Sequence, residues 1–395
     1  MLDVARLRSL HPALTEGFAH FDGAGGTQPA APVADAVAGA MRSAVSNRGT
    51  AFPAARRSGE IVADARAAVA DLLGADPGGV VFGPSATALT YLVARTLARG
   101  WAPGDEVVVT RLDHDANVRP WVQTGATVRW ADVDVATGEL PVAQFARLVG
   151  PRTKVVAVTG ASNAIGTVPA VAEIAEVAHA AGALVYVDGV HAAAHRPVDV
   201  RALGADFYVT SAYKWSGPHY AAVAADPARW AALHPDKLLP SPDHPPDRFE
   251  FGTLSFELLA GVTAAVDHLA GLVPGAGDRR SRLVASMAAV SAYENTLLDR
   301  LLAGLAALPH VTLCPAPAGR CPTVSFRVAG QAPADTARAL GDRGIGVSSG
   351  DYYAAEYFIA AGLRATGGAI RASIYHYNTE REVDRLLAAI DSVPG

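Results

Sequence analysis

Lys214 stands in FYVTSAYKWSGPHY (207–220), just after a strand-like run, and 26 residues beyond Asp188, which closes another such run, ALVYVDG (183–189). A lysine amine can condense with an aldehyde and hold a cofactor as a Schiff base. A buried carboxylate can keep a pyridine nitrogen protonated, so that the ring accepts electrons. Pyridoxal phosphate (PLP) needs both groups. Taken singly, the two residues read more simply as a surface lysine at a strand end and an aspartate opening a turn. Together, in this order, they point to a cofactor pair.

The phosphate of such a cofactor needs backbone N–H groups at a helix start. FGPSATALTYLVARTL (82–97) offers a strand, a turn and a helix, with the N–H groups of Ala86 and Thr87 and the Thr87 hydroxyl available, although Ser85 also reads as a plain helix cap. Ser211 and Tyr213, two apart in extended chain, would turn their hydroxyls to one side. RLDHDANVRPW (111–121) ends a strand in a polar cluster around His114, at the edge where α/β sheets bind ligands; there His114 is either a ring-stacking residue or a solvated loop histidine.

The elements that must carry these residues are legible as short β-branched runs at 80–82, 106–110, 127–133, 154–160, 183–189 and 206–211. Helical stretches such as 169–182 lie between them, the pattern of a mainly parallel sheet with both faces covered. Alanine blurs the helical periodicity. The proline-rich stretch 234–252 reads as a loop. It is followed by helices near 254–270 and 279–307, strands at 323–328 and 369–377, and a final amphipathic helix at 380–390, the makings of a smaller α+β unit. The 395 residues suffice for two lobes sharing a cleft. A net charge of −5 with no basic run gives no footprint for nucleic acid or an anionic membrane. A small-molecule substrate is the default expectation. No apolar run approaches a membrane span and no secretory signal is seen, so the expectation is a soluble, cytoplasmic protein. Two cysteines, Cys314 and Cys321, are too few for a disulfide framework and wrongly composed for zinc, so no metal is expected.

With these residues in view, the chain resembles the fold-type I, class V aminotransferase superfamily, and within it the group II cysteine desulfurase and selenocysteine lyase branch. The resemblance runs through FDGAGGTQPA (21–30), LDHDANVRPW (112–121), ASNAIGTV (161–168), VYVDGVHAAAH (185–195), TSAYKWSGP (210–218), RFEFGTLS (248–255) and RASIYHYNTEREVDRLL (371–387), in the family's order. It implies an aspartate aminotransferase-like α/β fold. A large PLP-binding domain over 21–268, with a mainly parallel seven-stranded sheet sandwiched by helices, would join a small α+β domain over 269–395, with residues 1–20 packing on the small domain. Lys214 would carry the cofactor and shuttle the substrate proton, Asp188 would pair with the pyridinium nitrogen, and His114 would stack on the ring. His191 and Asn163 would approach the phenolic oxygen. Arg371 would clamp the carboxylate of an amino acid substrate. Gly252 and Thr253 would complete the phosphate site of a partner subunit, which requires a homodimer.

The family's persulfide-forming cysteine belongs in a small-lobe loop that here reads GIGVSSGDYYAAEYF (344–358). Tyr353 occupies the cysteine position and Ser348 that of an arginine. Tyrosine cannot carry sulfur as a persulfide. The resemblance therefore implies PLP chemistry through deprotonation at Lys214 but not a persulfide, with β-elimination at a carbon–sulfur bond as the first expectation. Epimerisation, transamination and a non-catalytic PLP-binding role are the alternatives. Tyr352, Tyr353 and Asp351 would contribute to substrate selection or simply pack as an aromatic loop.

Overall fold

The computed structural model describes residues 2–393. Its centre is a seven-stranded sheet of β1 (Val80–Gly83), β2 (Glu106–Thr110), β3 (Thr127–Ala131), β4 (Thr153–Thr159), β5 (Leu184–Asp188), β6 (Phe207–Ser211) and β7 (Ala221–Ala225), ordered β1-β7-β6-β5-β4-β2-β3. Only β7 runs antiparallel to its neighbours. Valines 107–109, 155, 156, 185 and 187 are buried, as expected of strands covered on both faces. β7 was not foreseen as a strand, because AAVAA carries almost none of the β-branched signal and forms a strand only through pairing on both sides.

Helix α1 (Ala31–Arg42) packs on α5 (Phe256–Ala270), which also packs on α2 (Pro53–Leu73), while α2, α3 (Ala86–Ala98) and α4 (Val171–Ala180) lie against the sheet. The long α6 (Arg279–Ala306) leads to a second, four-stranded antiparallel sheet. Its strands are β8 (Val311–Leu313), β9 (Thr323–Val328), β10 (Ser348–Gly350) and β11 (Ala369–Ser373). β11 stops four residues short of the expected 377. Beyond it the chain turns, and Tyr375 donates its backbone N–H to Asn378 Oδ1 at 2.8 Å. Shorter helices also belong to this part, one of them Pro333–Gly341. α7 (Ala355–Ala360) follows β10, and α8 (Glu380–Asp391) starts at a reciprocal Thr379–Glu382 capping box. This sheet has its own apolar core, including Leu297, Leu301, Phe326, Ile370 and Leu386. The N-terminal segment contributes to both apolar cores. Ala19 and His20 pair with Ile345 and Gly346, whereas Leu7 and Leu14 join the larger core.

Three imidazoles are buried where the N-terminal segment, α5 and the turn after β11 meet. The rings of His268 and His376 lie 5.2 and 6.5 Å from that of His11. Burial, then the charge of His11, holds His268 down to about 4. An imidazole depressed in this way binds its proton more readily in the unfolded chain. Its contribution to stability is therefore present above about pH 6.5 and is lost as the pH falls toward about 4. His268→Phe, which retains a ring in contact with His11, is expected to flatten the fall of Tm across that interval. Parallel Tm-versus-pH curves for variant and wild type would contradict this.

Candidate active site

The carboxyl ends of β1, β2, β4, β5 and β6 open into one cavity of about 870 Å³, closed on the far side by β10, β11 and the loop after β10. Asp188 ends β5. The glycine that follows it is dictated by packing, since a Cβ at position 189 would stand 1.9 Å from the Tyr208 ring. β6 leads through a single helical turn to Lys214. Its amine donates hydrogen bonds to the carbonyls of Ala24 and Gly25, the latter at 3.0 Å, and lies 4.8 Å from the Tyr213 ring centroid. Burial, then the Arg371 charge, brings the amine down to about 7, so a sizeable neutral fraction is available as base or nucleophile at neutral pH. Burial lifts Asp188 to about 6, against the Val190 N–H it accepts at 3.0 Å. A cation placed against this buried carboxylate would favour its charged form.

His114 sits at the turn after β2, where its Nδ1 accepts the Ala116 N–H at 3.0 Å. Burial, then Lys214 and Arg371, holds it down to about 4, so the ring is neutral. The turn is organised by Asp113, a residue that sequence reasoning passed over although it lies inside the polar cluster. Asp113 is fully buried and accepts from the Thr110 hydroxyl and from Asn117 Nδ2. Burial raises it to about 8, against the hydrogen bonds from Thr110 and Asn117.

Register in the small sheet sets Arg371 of β11 opposite Ser348 of β10. The Arg371 guanidinium pairs with Asp22 at 2.7 Å, donates to the Asn163 carbonyl at 3.1 Å and lies 4.5 Å above the Tyr352 ring. Asp22 also escaped the sequence reading of individual residues, although FDGAGG drew notice as a motif. Tyr352 and Tyr353 have φ of 51° and 58°, a left-handed pair costing roughly 1–2 kcal/mol per residue. Contacts reaching across the cavity hold them there. Asn163 Nδ2 donates to the Tyr352 carbonyl at 2.9 Å, the Asp115 N–H donates to the Tyr353 carbonyl at 2.6 Å, and the Tyr353 ring stacks on His114 with centroids 5.4 Å apart. Glu356 on α7, bonded to Arg111 and Arg119, fastens the loop further.

Of the residues expected at a site, Ala86, Thr87, His114, Asn163, Asp188, His191, Ser211, Tyr213, Lys214, Asp351, Tyr353 and Arg371 all line this cavity. Ala86 and Thr87 are the first residues of α3, where N–H groups lack intrahelical partners. Asp351 is also paired with Arg364 at 2.9 Å. Gly252 and Thr253 are not brought in; both are exposed, and the Thr253 hydroxyl lies 3.5 Å from Asn47 Oδ1. Cys314 and Cys321 are buried outside the lining, and burial pushes their thiols up to about 11 and about 12. Buried polar atoms of cavity residues that have no hydrogen-bond partner among the described residues include Asn163 Oδ1, His191 Nδ1 and Arg371 Nε. Together with the buried Lys214 amine, the uncompensated Asp188 and the free N–H groups of α3, they suit PLP, which brings an aldehyde, a pyridine nitrogen, a phenolic oxygen and a phosphate. Among the described residues no helix is long and apolar enough to cross a membrane, and no cluster of metal-binding side chains occurs.

A model of the family Aminotransferase class-V matches residues 19–224 and 240–386. An uncharacterized protein of Mycobacterium tuberculosis is 39% identical over 99% of each chain. A probable cysteine desulfurase of Mycolicibacterium paratuberculosis is 34% identical over 99% of this chain, which spans 58% of that relative's length. Among solved structures, the cysteine desulfurase CsdA of Escherichia coli superposes with a TM-score of 0.86 at 27% identity, covering 99% of this chain and 98% of the other.

Proposed function

Because the chain belongs to the aminotransferase class-V family, as a cysteine desulfurase-like enzyme that uses PLP, we propose that it is a carbon–sulfur lyase that cleaves the β-substituent of an amino acid without forming a protein persulfide. One observation carries this reading. Lys214 and Arg371 line the cavity, while both cysteines lie buried outside it with thiols held neutral.

Lys214 would hold the cofactor's aldehyde and Asp188 its ring nitrogen, with His114 against the ring face and Ala86, Thr87, Ser211 and Tyr213 at the phosphate. The cofactor supplies an electron sink for the bond that breaks at the substrate α-carbon. Arg371, with its planar fork steadied by Asp22 and Tyr352, would bind the substrate carboxylate. The Lys214 amine, once free of the cofactor, would take the α-proton. The electron pair of the carbon–sulfur bond leaves with sulfur, and hydrolysis of the remainder yields pyruvate and ammonia. Asp351 and Tyr353, both lining the cavity, would border the side-chain end of the substrate.

The division into a large unit over 21–268 and a small one over 269–395 is retained as part of this proposal. So are residence in the cytoplasm and a homodimer in which Gly252 and Thr253 reach a partner's phosphate site. The exposed apolar side chain of Phe251, next to them in the chain, and those of Leu238 and Leu239 in the same proline-rich stretch support the last. Incubation with cysteine, cysteine sulfinate, S-substituted cysteines and their sulfoxides is expected to give pyruvate from at least one S-substituted compound. Absence of pyruvate, alanine and released sulfur from every one of them would remove the lyase reading.

A further inference from the structure

Behind the cavity wall lies a second group of polar side chains with no part in the chemistry above. The ring of His191, a cavity residue, meets that of His195 edge to face at 4.7 Å between centroids. His195 Nδ1 stands 2.8 Å from Glu294 Oε2 on α6, and the other carboxylate oxygen lies 3.9 Å from His376 Nδ1. All of these side chains are buried, and among the described residues these two imidazoles are the only ion-pair partners of Glu294. A carboxylate withdrawn from water must be neutral or share a proton with its partner. The 2.8 Å contact therefore holds one proton between His195 Nδ1 and Glu294. On the cavity side, His191 Nε2 lies 3.0 Å from the Thr323 hydroxyl. This leaves His191 Nδ1 and His195 Nε2, the remaining nitrogens of two rings in edge contact, without hydrogen-bond partners among the described residues. An isolated buried histidine is ordinary packing, but this run is continuous from the cavity to a buried acid.

We propose that His195 and Glu294 are positioning residues of the active site, acting through His191 to fix which of its ring nitrogens carries the proton toward the bound cofactor. The inference rests on the cofactor reading of the cavity. His191 also faces the charges of Lys214 and Arg371 across the cavity, while Tyr375 and His376 adjoin the His195–Glu294 pair. A proton on His195 would oppose one on the adjoining His191 ring, so the His195–Glu294 contact and the state of His191 are linked.

The test is a pH titration of the cofactor's visible absorption band in purified holoenzyme, for wild type, Glu294→Gln, His195→Asn and the double variant. Either single change disrupts the proton-sharing contact behind His191, so the apparent pKa of the band is expected to move by about half a unit or more. Because the two residues act as one unit, the double variant should move no further than the larger single shift. Met287→Ala, a core truncation on the same helix remote from the cavity lining, is expected to lower Tm and leave the titration at the wild-type value. If Glu294→Gln yields no folded protein, Thr323→Val, which removes the hydroxyl at His191 Nε2, is read in the same titration and is expected to shift it. Variant titrations that superimpose on wild type would overturn the proposal and leave the cofactor reading standing. A wild type with no such band would remove both.

Discussion

Lys214→Ala is expected to lower turnover by about a hundredfold to ten-thousandfold, the range of a lost proton-transfer group, and to remove the visible absorption band of the holoenzyme. The size of the effect follows from two duties resting on one amine. The same nitrogen would tether the cofactor and take the substrate α-proton, and no other lysine lines the cavity. Alanine leaves the strand and turn intact, since β6 is held by five paired residues of β7. The loss should therefore come with little change in Tm. A variant that kept its band and most of its turnover would show that another group performs both duties.

Arg371→Ala is expected to reduce kcat/KM roughly ten- to hundredfold, the equivalent of a charged hydrogen-bonded contact of about 1.5–3 kcal/mol, with KM rising more than kcat falls. The guanidinium is buried and already held on three sides, by Asp22, the Asn163 carbonyl and the Tyr352 ring, so little side-chain entropy remains to be lost when a carboxylate arrives. Arg371→Lys should recover little, because a single ammonium cannot reproduce the fork that spans Asp22 and Asn163. Unchanged KM in both variants would mean that the substrate carboxylate binds elsewhere.

Much of this fold was legible because parallel strands covered on both faces must be apolar throughout, and valine-rich runs such as 106–110 announce themselves. The alanine strand 221–225 did not, since its partners rather than its side chains make it a strand. Lys214 and Asp188 stood out because a lysine and an acid after successive strands fall at one sheet edge. Asp22 and Asp113 act through contacts with Arg371 and with Thr110 and Asn117, and such contacts leave no periodic trace in sequence. The left-handed Tyr352–Tyr353 pair was equally hidden, because neither residue prefers that conformation and only contacts across the cavity enforce it. The His195–Glu294 pair joins residues 99 positions apart, a separation that no local spacing rule can detect.

The most direct test of a lyase without a persulfide is to measure pyruvate, alanine and protein-bound sulfur after incubating S-substituted cysteines and cysteine with wild type and with the cysteine-free variant Cys314→Ala/Cys321→Ala. The account predicts pyruvate with sulfur released to solution, at similar rates in both proteins. Alanine formation with sulfur bound to wild-type protein, both lost in the cysteine-free variant, would contradict it.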